Sequence, residues 1–399
     1  MRARKEAFLY LITMFFSLIG LIVLLTLVGF IVKNGLRSLS WDFLTSNYYE
    51  EVYNLHLEDD IIFDEYINPM NEMDYFTSRW GVSFRDDLDY NQNPIVIVSY
   101  IDQNSPLRNM EVINQNNYQG LFVGMAIDRV LLEDEGGNLI IIQSKNKAEI
   151  MASSFQKGMI ITDLVASSRG GGIRGSLYST IILILLTLII ALPLGIGGAI
   201  YLNEYARPNR ITRIIRSFIE ATTGIPSIIF GMVGSAVFIP VVSTITHVQT
   251  GTLLSGAFTL AMILLPIIIR TVEESLSTIK QSYREASLAL GASRTQTIFR
   301  VVLPNAIGGI LTATILSIGR IIGESAALIY AVGTVIKDRV SIFDRSTSLA
   351  VHIWTLMSGE NPNFESACAI SIIILILVLL LSIMVKGLTK RLRRMEVVS

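Results

Sequence analysis

The sequence predicts an α-helical integral membrane protein with six transmembrane helices and a mixed α/β insertion after the first of them. Three observations carry that expectation. Hydrophobic residues make up 51% of the 399-residue chain, mean hydropathy is +0.54 and charged residues reach only 16%, whereas soluble domains carry about 25%. Apolar runs recur, each long enough to cross about 30 Å of hydrocarbon. The charge is also unevenly spread: residues 41–165 hold 21 Asp and Glu against 7 Lys and Arg, and the rest of the chain holds 12 against 25. A net charge of −1 therefore hides an acidic soluble segment set inside a basic, apolar chain.

The first run, Phe8 to Val32, follows Arg2, Arg4 and Lys5. It is longer than a signal-peptide core and lacks a small-residue cleavage site, so it reads as an uncleaved span. Further runs lie at Ile173–Tyr201, Phe218–Val242, Thr252–Arg270, Ala306–Ile336 and Ala367–Val385. Basic residues cluster before the first span, after the second (Arg207, Arg210, Arg213, Arg216), after the fourth (Lys280, Arg284, Arg294, Arg300) and after the sixth (Lys386, Lys390, Arg391, Arg393, Arg394). With six spans all four places share one face. The positive-inside rule makes that face cytoplasmic, with both termini inside and the acidic segment outside the cell membrane. The expected organisation is residues 1–37 as N-terminus and first span, 38–172 as an extracytoplasmic insertion, and 173–399 as a five-helix core.

The cytoplasmic loop between spans four and five, residues 283–307, reads Tyr283-REASLALGASRTQTIFRVVLPNA-Ile307. Its small residues from Ala286 to Ala292 suit a short helix that Gly291 breaks or turns. A second apolar stretch, Ile298–Leu303, then runs into Pro304, a residue tolerated near a helix start. A helix–turn–helix of this kind fits a groove in another protein, and pattern alone equally permits a structural re-entry loop. The spacing E-A-x-x-x-x-G, nine residues, V-x-L-P resembles the EAA loop of binding-protein-dependent ABC importer permeases, through Glu285, Ala286, Gly291, Val301, Leu303 and Pro304. Ser287 stands where that motif's second Ala is commonest. The resemblance implies that Arg284, Glu285, Ala286, Gly291, Leu303 and Pro304 form the coupling element that meets a cytoplasmic ATPase.

Other segments resemble phosphate ABC transporter permeases of the PstA-like type: Gly172-IRGSLYSTI, Leu192-PLGIGGAIYLNEYA, Gly224-IPSIIFG, Leu265-PIIIRTVEESL and Ile318-GRIIGESAAL. With the loop they cover residues 170–394. The family implies inorganic phosphate as substrate, a second PstC-like permease, a PstB-like ATPase dimer and a PstS-like phosphate-binding protein outside the membrane. Related permeases for other oxyanions share much of this framework. Arg320 and Glu324 fall four apart on a continuous helix, and Arg320 lies roughly 24 Å along it counted from Pro304. Intramembrane charge normally faces a cavity or a partner, and a guanidinium fork suits phosphate oxygens. The alternative is an ion pair that only fixes packing. Arg270 ends span four and snorkels by default; the resemblance places it on the anion path. Pro226 and Ser227, with Gly224, Gly231, Pro193, Gly195, Gly197 and Gly198, permit either an exposed-backbone path or close helix packing.

Within the insertion, residues 41–90 are acidic and aromatic without clear periodicity. Ile95-VIVSYI, Leu121-FVGMAIDRVLL, Leu139-IIIQ and Met159–Val165 read as strands, and Lys147–Phe155 as a helix. The order over 94–165 resembles a PDZ-like domain, with Ser105-Pro106-Leu107 and Gly120-Leu121-Phe122-Val123-Gly124-Met125 near that family's motifs, although Met125 replaces the usual Asp. The acidic balance repels phosphate itself, so a docking surface for the binding protein or a scaffold is expected in place of substrate capture. A membrane protease and a membrane peptide sensor are the competing classes. Neither HExxH nor a nucleophile–base constellation stands out, and neither class uses the 283–307 loop. Cys368 is the lone cysteine and His56, His247 and His352 lack ligand spacing, so no metal or cofactor is expected. A P-loop pattern is absent, which assigns ATP hydrolysis to a partner chain; no nucleic-acid partner is expected.

Overall fold

The computed structural model describes residues 2–57, 66–68, 74–88, 93–112, 117–118, 120–143, 147–168, 170–359 and 362–398. The side chains of Arg2, Arg4, Lys5, Lys390, Arg391, Arg393 and Arg394 lie outside the described residues. The chain divides into two compact units, Met1–Trp41 with Gly175–Ser399, and Asp42–Arg174.

The membrane unit is all helix: α1 (Arg2–Gly35), then, beyond α2 (Trp41–Thr45) and the insertion with its α3 (Ala148–Lys157), α4 (Arg174–Ile200), α5 (Arg210–Thr222), α6 (Ser227–Thr246), α7 (Leu253–Ser277), α8 (Gln281–Ala289), α9 (Arg294–Thr297), α10 (Leu303–Asn305), α11 (Ile307–Gly323), α12 (Ala326–Ala331), α13 (Leu349–Ser358) and α14 (Phe364–Val398). Among the described residues, five helices are long and apolar enough to span a bilayer: Tyr10–Gly35, Arg174–Tyr205, Ser227–Thr246, Leu253–Ser277 and Phe364–Gly387. The pair Arg294–Asn305 and Ile307–Gly323, bent by 63°, makes a sixth if the two helices are taken together as one broken span. α7 is central and buries Leu260, Leu264, Ile268, Val272 and Leu276. Its start is fixed by a capping box in which Thr252 and Ser255 each accept the other's backbone N–H.

Two expected spans are corrected. The run 218–242 is two helices. α5 is amphipathic: Ile211, Ile214, Ile215 and Phe218 lie on one exposed face, with Arg213, Arg216 and Glu220 opposite. It ends in a turn where Gly224 N–H donates to Ala221 O at 3.1 Å. Pro226 then restarts the chain as α6, because proline has no N–H and disfavours helix in the residue before it. The run 306–336 also breaks. α11 stops at Gly323, Glu324 is extended at φ −82°, ψ 116°, and α12 begins two residues later.

Small residues set the helix spacing. A Cβ on Gly195 of α4 meets the Ile268 side chain of α7 at 2.5 Å, and one on Gly231 of α6 meets the Ala327 carbonyl oxygen of α12 at 2.6 Å. At these two positions the glycines serve close packing. Gly197 has open space around it.

The insertion is a sheet with one ten-residue helix, α3. Its strands are β1 (Val52–His56), β2 (Tyr75–Thr77), β3 (Val82–Leu88), β4 (Pro94–Ile101), β5 (Glu111–Val112), β6 (Asn117–Tyr118), β7 (Ala126–Glu133), β8 (Leu139–Gln143) and β9 (Ile160–Ser167). They are antiparallel in the order β2-β3-β4-β7-β9-β1-β5-β6, with β8 also on β7. Trp80, Phe84 and Phe155 anchor the core, and Trp80 Nε1 donates to Phe155 O at 2.8 Å. Among the described residues, 41–90, which show no periodicity at the level of the whole stretch, supply three strands. The expected strand from Leu121 starts only at Ala126, because Gly124 turns the chain at φ +98°. The 105–107 and 120–121 segments are brought together, with Leu121 N–H donating to Leu107 O at 2.7 Å.

Candidate coupling loop and transport path

α8 is exposed except at Arg284 and Ser287, and Leu288 and Leu290, the latter just past its end, are 47% and 90% accessible. A free apolar face on a short helix is unusual unless a partner covers it. The helix terminates in a Schellman arrangement: Ala292 N–H donates to Ser287 O at 3.2 Å and Gly291 N–H to Leu288 O at 3.0 Å. Gly291 takes φ +86°, the left-handed geometry that this C-cap requires and glycine supplies cheaply. Ser293 then opens α9 with a capping box to Gln296, and the Ser287 and Thr297 hydroxyls meet at 2.9 Å. Glu285 and Ala286 face solvent. Leu303 and Pro304 lie in α10, next to the bend into α11.

Arg284 differs from its neighbours because it points inward. Its Nη2 lies 2.7 Å from Glu204 Oε1, and both side chains are largely buried. Nε reaches both Glu204 oxygens at 3.3 Å, Nη1 donates to Ile279 O at 2.8 Å, and Nη2 donates to Leu276 O at 3.1 Å. Arg294 donates to Glu204 O and sits 5.2 Å from the Tyr205 ring centroid. Glu204 belongs to a π-helical turn, Tyr201–Tyr205, that ends α4. Sequence reasoning passed over it: it falls inside the segment Leu192-PLGIGGAIYLNEYA, and its partner is 80 positions away.

Arg270 is in a charged cluster. It pairs with Glu274 at 3.1 Å and Glu220 at 3.6 Å, while Arg216 pairs with Glu273 at 2.7 Å. These side chains line a cavity of about 420 Å³ between α5 and α7. Arg320 stands on the last turn of α11, exposed, with no ion pair or hydrogen bond among the described residues. The two arginines lie at different levels. Arg270 is seven residues, about 10 Å, before the coupling-loop end of α7, whereas Arg320 is thirteen residues, about 20 Å, beyond the start of α11. The shared helical face expected for Arg320 and Glu324 is not formed. The helix ends between them, and Glu324, buried, accepts from Ala327 N–H at 3.2 Å. The 24 Å count from Pro304 likewise runs through the 63° bend. Pro226 and Ser227 form the exposed and half-buried start of α6. Among the described residues no group of three His, Cys, Asp or Glu side chains is placed to hold a metal.

A multi-pass helical membrane unit carrying an uncovered, surface-lying helix–turn–helix defines the permease class of transport protein. The family model for the binding-protein-dependent transport system inner membrane component matches residues 191–394, and the chain belongs to that family: it is an ABC importer permease subunit, and ATP hydrolysis resides on separate subunits. It is 36% identical over 230 residues to the probable ABC transporter permease protein YqgI of Bacillus subtilis, covering 53% of this chain and 75% of that one. It is 31% identical over 230 residues to the phosphate transport system permease protein PstA 1 of Mycobacterium tuberculosis, covering 56% and 73%. Among solved structures, the MetNI methionine ABC transporter aligns with 55% of this chain and 95% of its own at 22% identity and a TM-score of 0.42. The family match starts beyond the insertion.

Proposed function

We propose that the chain is the PstA-like permease of an inorganic phosphate importer, working with a PstC-like second permease, a PstB-like ATPase dimer and a PstS-like phosphate-binding protein. The observation that carries the reading is Arg320: a charged fork on a membrane helix, with no counter-ion among the described residues of its own chain. A guanidinium in that setting needs either an anion or a partner subunit's carboxylate. Relatives named as phosphate transport permeases favour the anion. Arg270, nearer the coupling side and already neutralised by Glu220 and Glu274, acts later on the path, and Pro226 and Ser227 supply exposed backbone at the start of α6. In this reading both termini and the coupling loop are cytoplasmic, and the ATPase takes Glu285, Ala286 and the exposed Leu288 and Leu290 into its groove. The insertion lies outside, as a PDZ-like module that docks the binding protein; the contact between its 105–107 and 120–121 segments supports that resemblance.

The test is uptake of inorganic phosphate by cells expressing the complete transporter, wild type against Arg320→Ala, at matched membrane abundance and with ATPase association measured. Collapse of uptake with the ATPase still bound supports the reading. Uptake that sulfate or molybdate blocks better than unlabelled phosphate assigns the site to another oxyanion.

A further inference from the structure

Glu204 is a carboxylate buried at the end of a membrane helix, and burying charge is costly unless pairing is complete. Here it is complete. Arg284 spends Nε and Nη2 on the carboxylate, and Nη1 and Nη2 on two carbonyls at the end of α7, Leu276 and Ile279. One guanidinium thus joins α8, which carries it, to α4 through Glu204 and to α7 through the carbonyls. Arg294, from α9, fastens the far side of the loop to the Glu204 backbone and the Tyr205 ring. The turn that presents Glu204 is π-helical, and so is Ile298–Val302, where the loop re-enters the membrane unit. π turns are rare and concentrate at functional sites. The pair also borders a cavity of about 780 Å³ lined by Asn203, Lys280 and Leu288 among others, so the loop has room to move if the pair lets go.

We propose that Glu204 is a positioning residue for coupling: it holds α8 rigidly to α4, so that a displacement of the loop by the ATPase is delivered to α4 and α7 together. The proposal rests on the reading of the loop as the ATPase dock. A neutral side chain at 204 leaves α8 fully able to enter an ATPase groove, because its exposed face is untouched, and takes the charge out of the α8–α4 link while the backbone contacts of Arg284 and Arg294 remain.

The experiment compares wild type, Glu204→Gln and Glu204→Asp in the complete purified transporter. Three quantities are read: the ATPase retained per permease, the stimulation of ATP hydrolysis by binding protein loaded with inorganic phosphate, and the distance between spin labels at Tyr201 and Ser282, both exposed. Glu204→Gln is expected to keep the ATPase at wild-type stoichiometry, lose at least tenfold of the stimulation and broaden the label distance. Glu204→Asp, which keeps the charge, is expected to retain at least a third of the stimulation with a narrow distance. Stimulation within twofold of wild type in Glu204→Gln overturns the proposal. So does a loss explained by equal loss of bound ATPase, which makes Glu204 a folding residue. ATPase missing from the wild-type complex overturns the docking reading instead, and the proposal with it.

Discussion

Arg320 stands in the last turn of α11, and Glu324 is the extended residue just past that helix, two positions before α12. They stand four positions apart, yet the extended backbone of Glu324 turns its carboxylate forward onto the Ala327 N–H at 3.2 Å, away from any i,i+4 pairing with the guanidinium. Arg320 is thereby left exposed, flanked by Gly319 and Gly323, which have open space where a side chain would be. A helix break converts what a continuous helix would neutralise into an available cation.

This separation divides two roles that substitutions can tell apart. Glu324→Gln keeps an acceptor for Ala327 N–H and is expected to leave abundance unchanged, whereas Glu324→Ala loses the cap at a cost of about 1 kcal/mol. If Glu324 only caps α12, Glu324→Gln transports normally. If its charge serves transport, uptake falls at unchanged abundance.

Gly291 holds the coupling helix's C-cap at φ +86° with open space beside it. Gly291→Ala meets no atom and pays only the left-handed conformation, about 1 kcal/mol, while Gly291→Asn pays less. ATPase co-purification is expected to fall severalfold with Ala and less with Asn. Equal retention in both variants refutes a need for this cap.

Gly231 and Gly197 separate packing from exposure. Gly231→Ala drives a methyl to within 2.6 Å of the Ala327 carbonyl oxygen and is expected to destabilise by roughly 1–3 kcal/mol. Gly197→Ala, in open space on α4, is expected to be neutral or to stabilise by roughly 0.5–1 kcal/mol. Thermal aggregation of the detergent-solubilised chain reads both. A loss that appears for Gly197→Ala only in the assembled transporter places that position against the second permease.

In the insertion, burial raises the Asp128 carboxyl above its ordinary 3.8, partly opposed by a hydrogen bond with Ser167. Its folded form binds protons more tightly than its unfolded form, so stability falls as pH climbs from the ordinary value through the raised one and stays lower above it. Asp128→Asn is expected to stabilise the insertion at pH 7 and to make no difference below about pH 3.5. Pulse proteolysis of the full chain in urea measures this, and equal stabilisation at both pH values would disprove the burial account.

The sequence alone determined the class of protein, because membrane insertion and the coupling loop rest on contiguous residues. A bilayer demands long apolar runs whatever they pack against, and four of the six expected crossings fall on single helices, while the runs 218–242 and 306–336 each break in two. The loop's E-A-x-x-x-x-G spacing is local too: the helix, its glycine cap and the serine that opens α9 all lie within 16 residues. The tertiary structure alone decided where helices break and which charges meet. Hydropathy averaged over a window cannot see the turns at Thr223–Pro226 and Gly323–Ser325, each made by a few residues whose alternative partners lie in neighbouring helices. It joined Phe218 to a span that begins at Ser227, and it placed Arg320 and Glu324 on one face. Strand β1 stayed hidden because five residues of alternation become a strand only when β9 and β5 pair with them. Glu204 and Arg284 stand 80 positions apart, and only closure of α4 against α7 and the coupling loop makes a buried ion pair of two charges that a linear reading assigns to solvent.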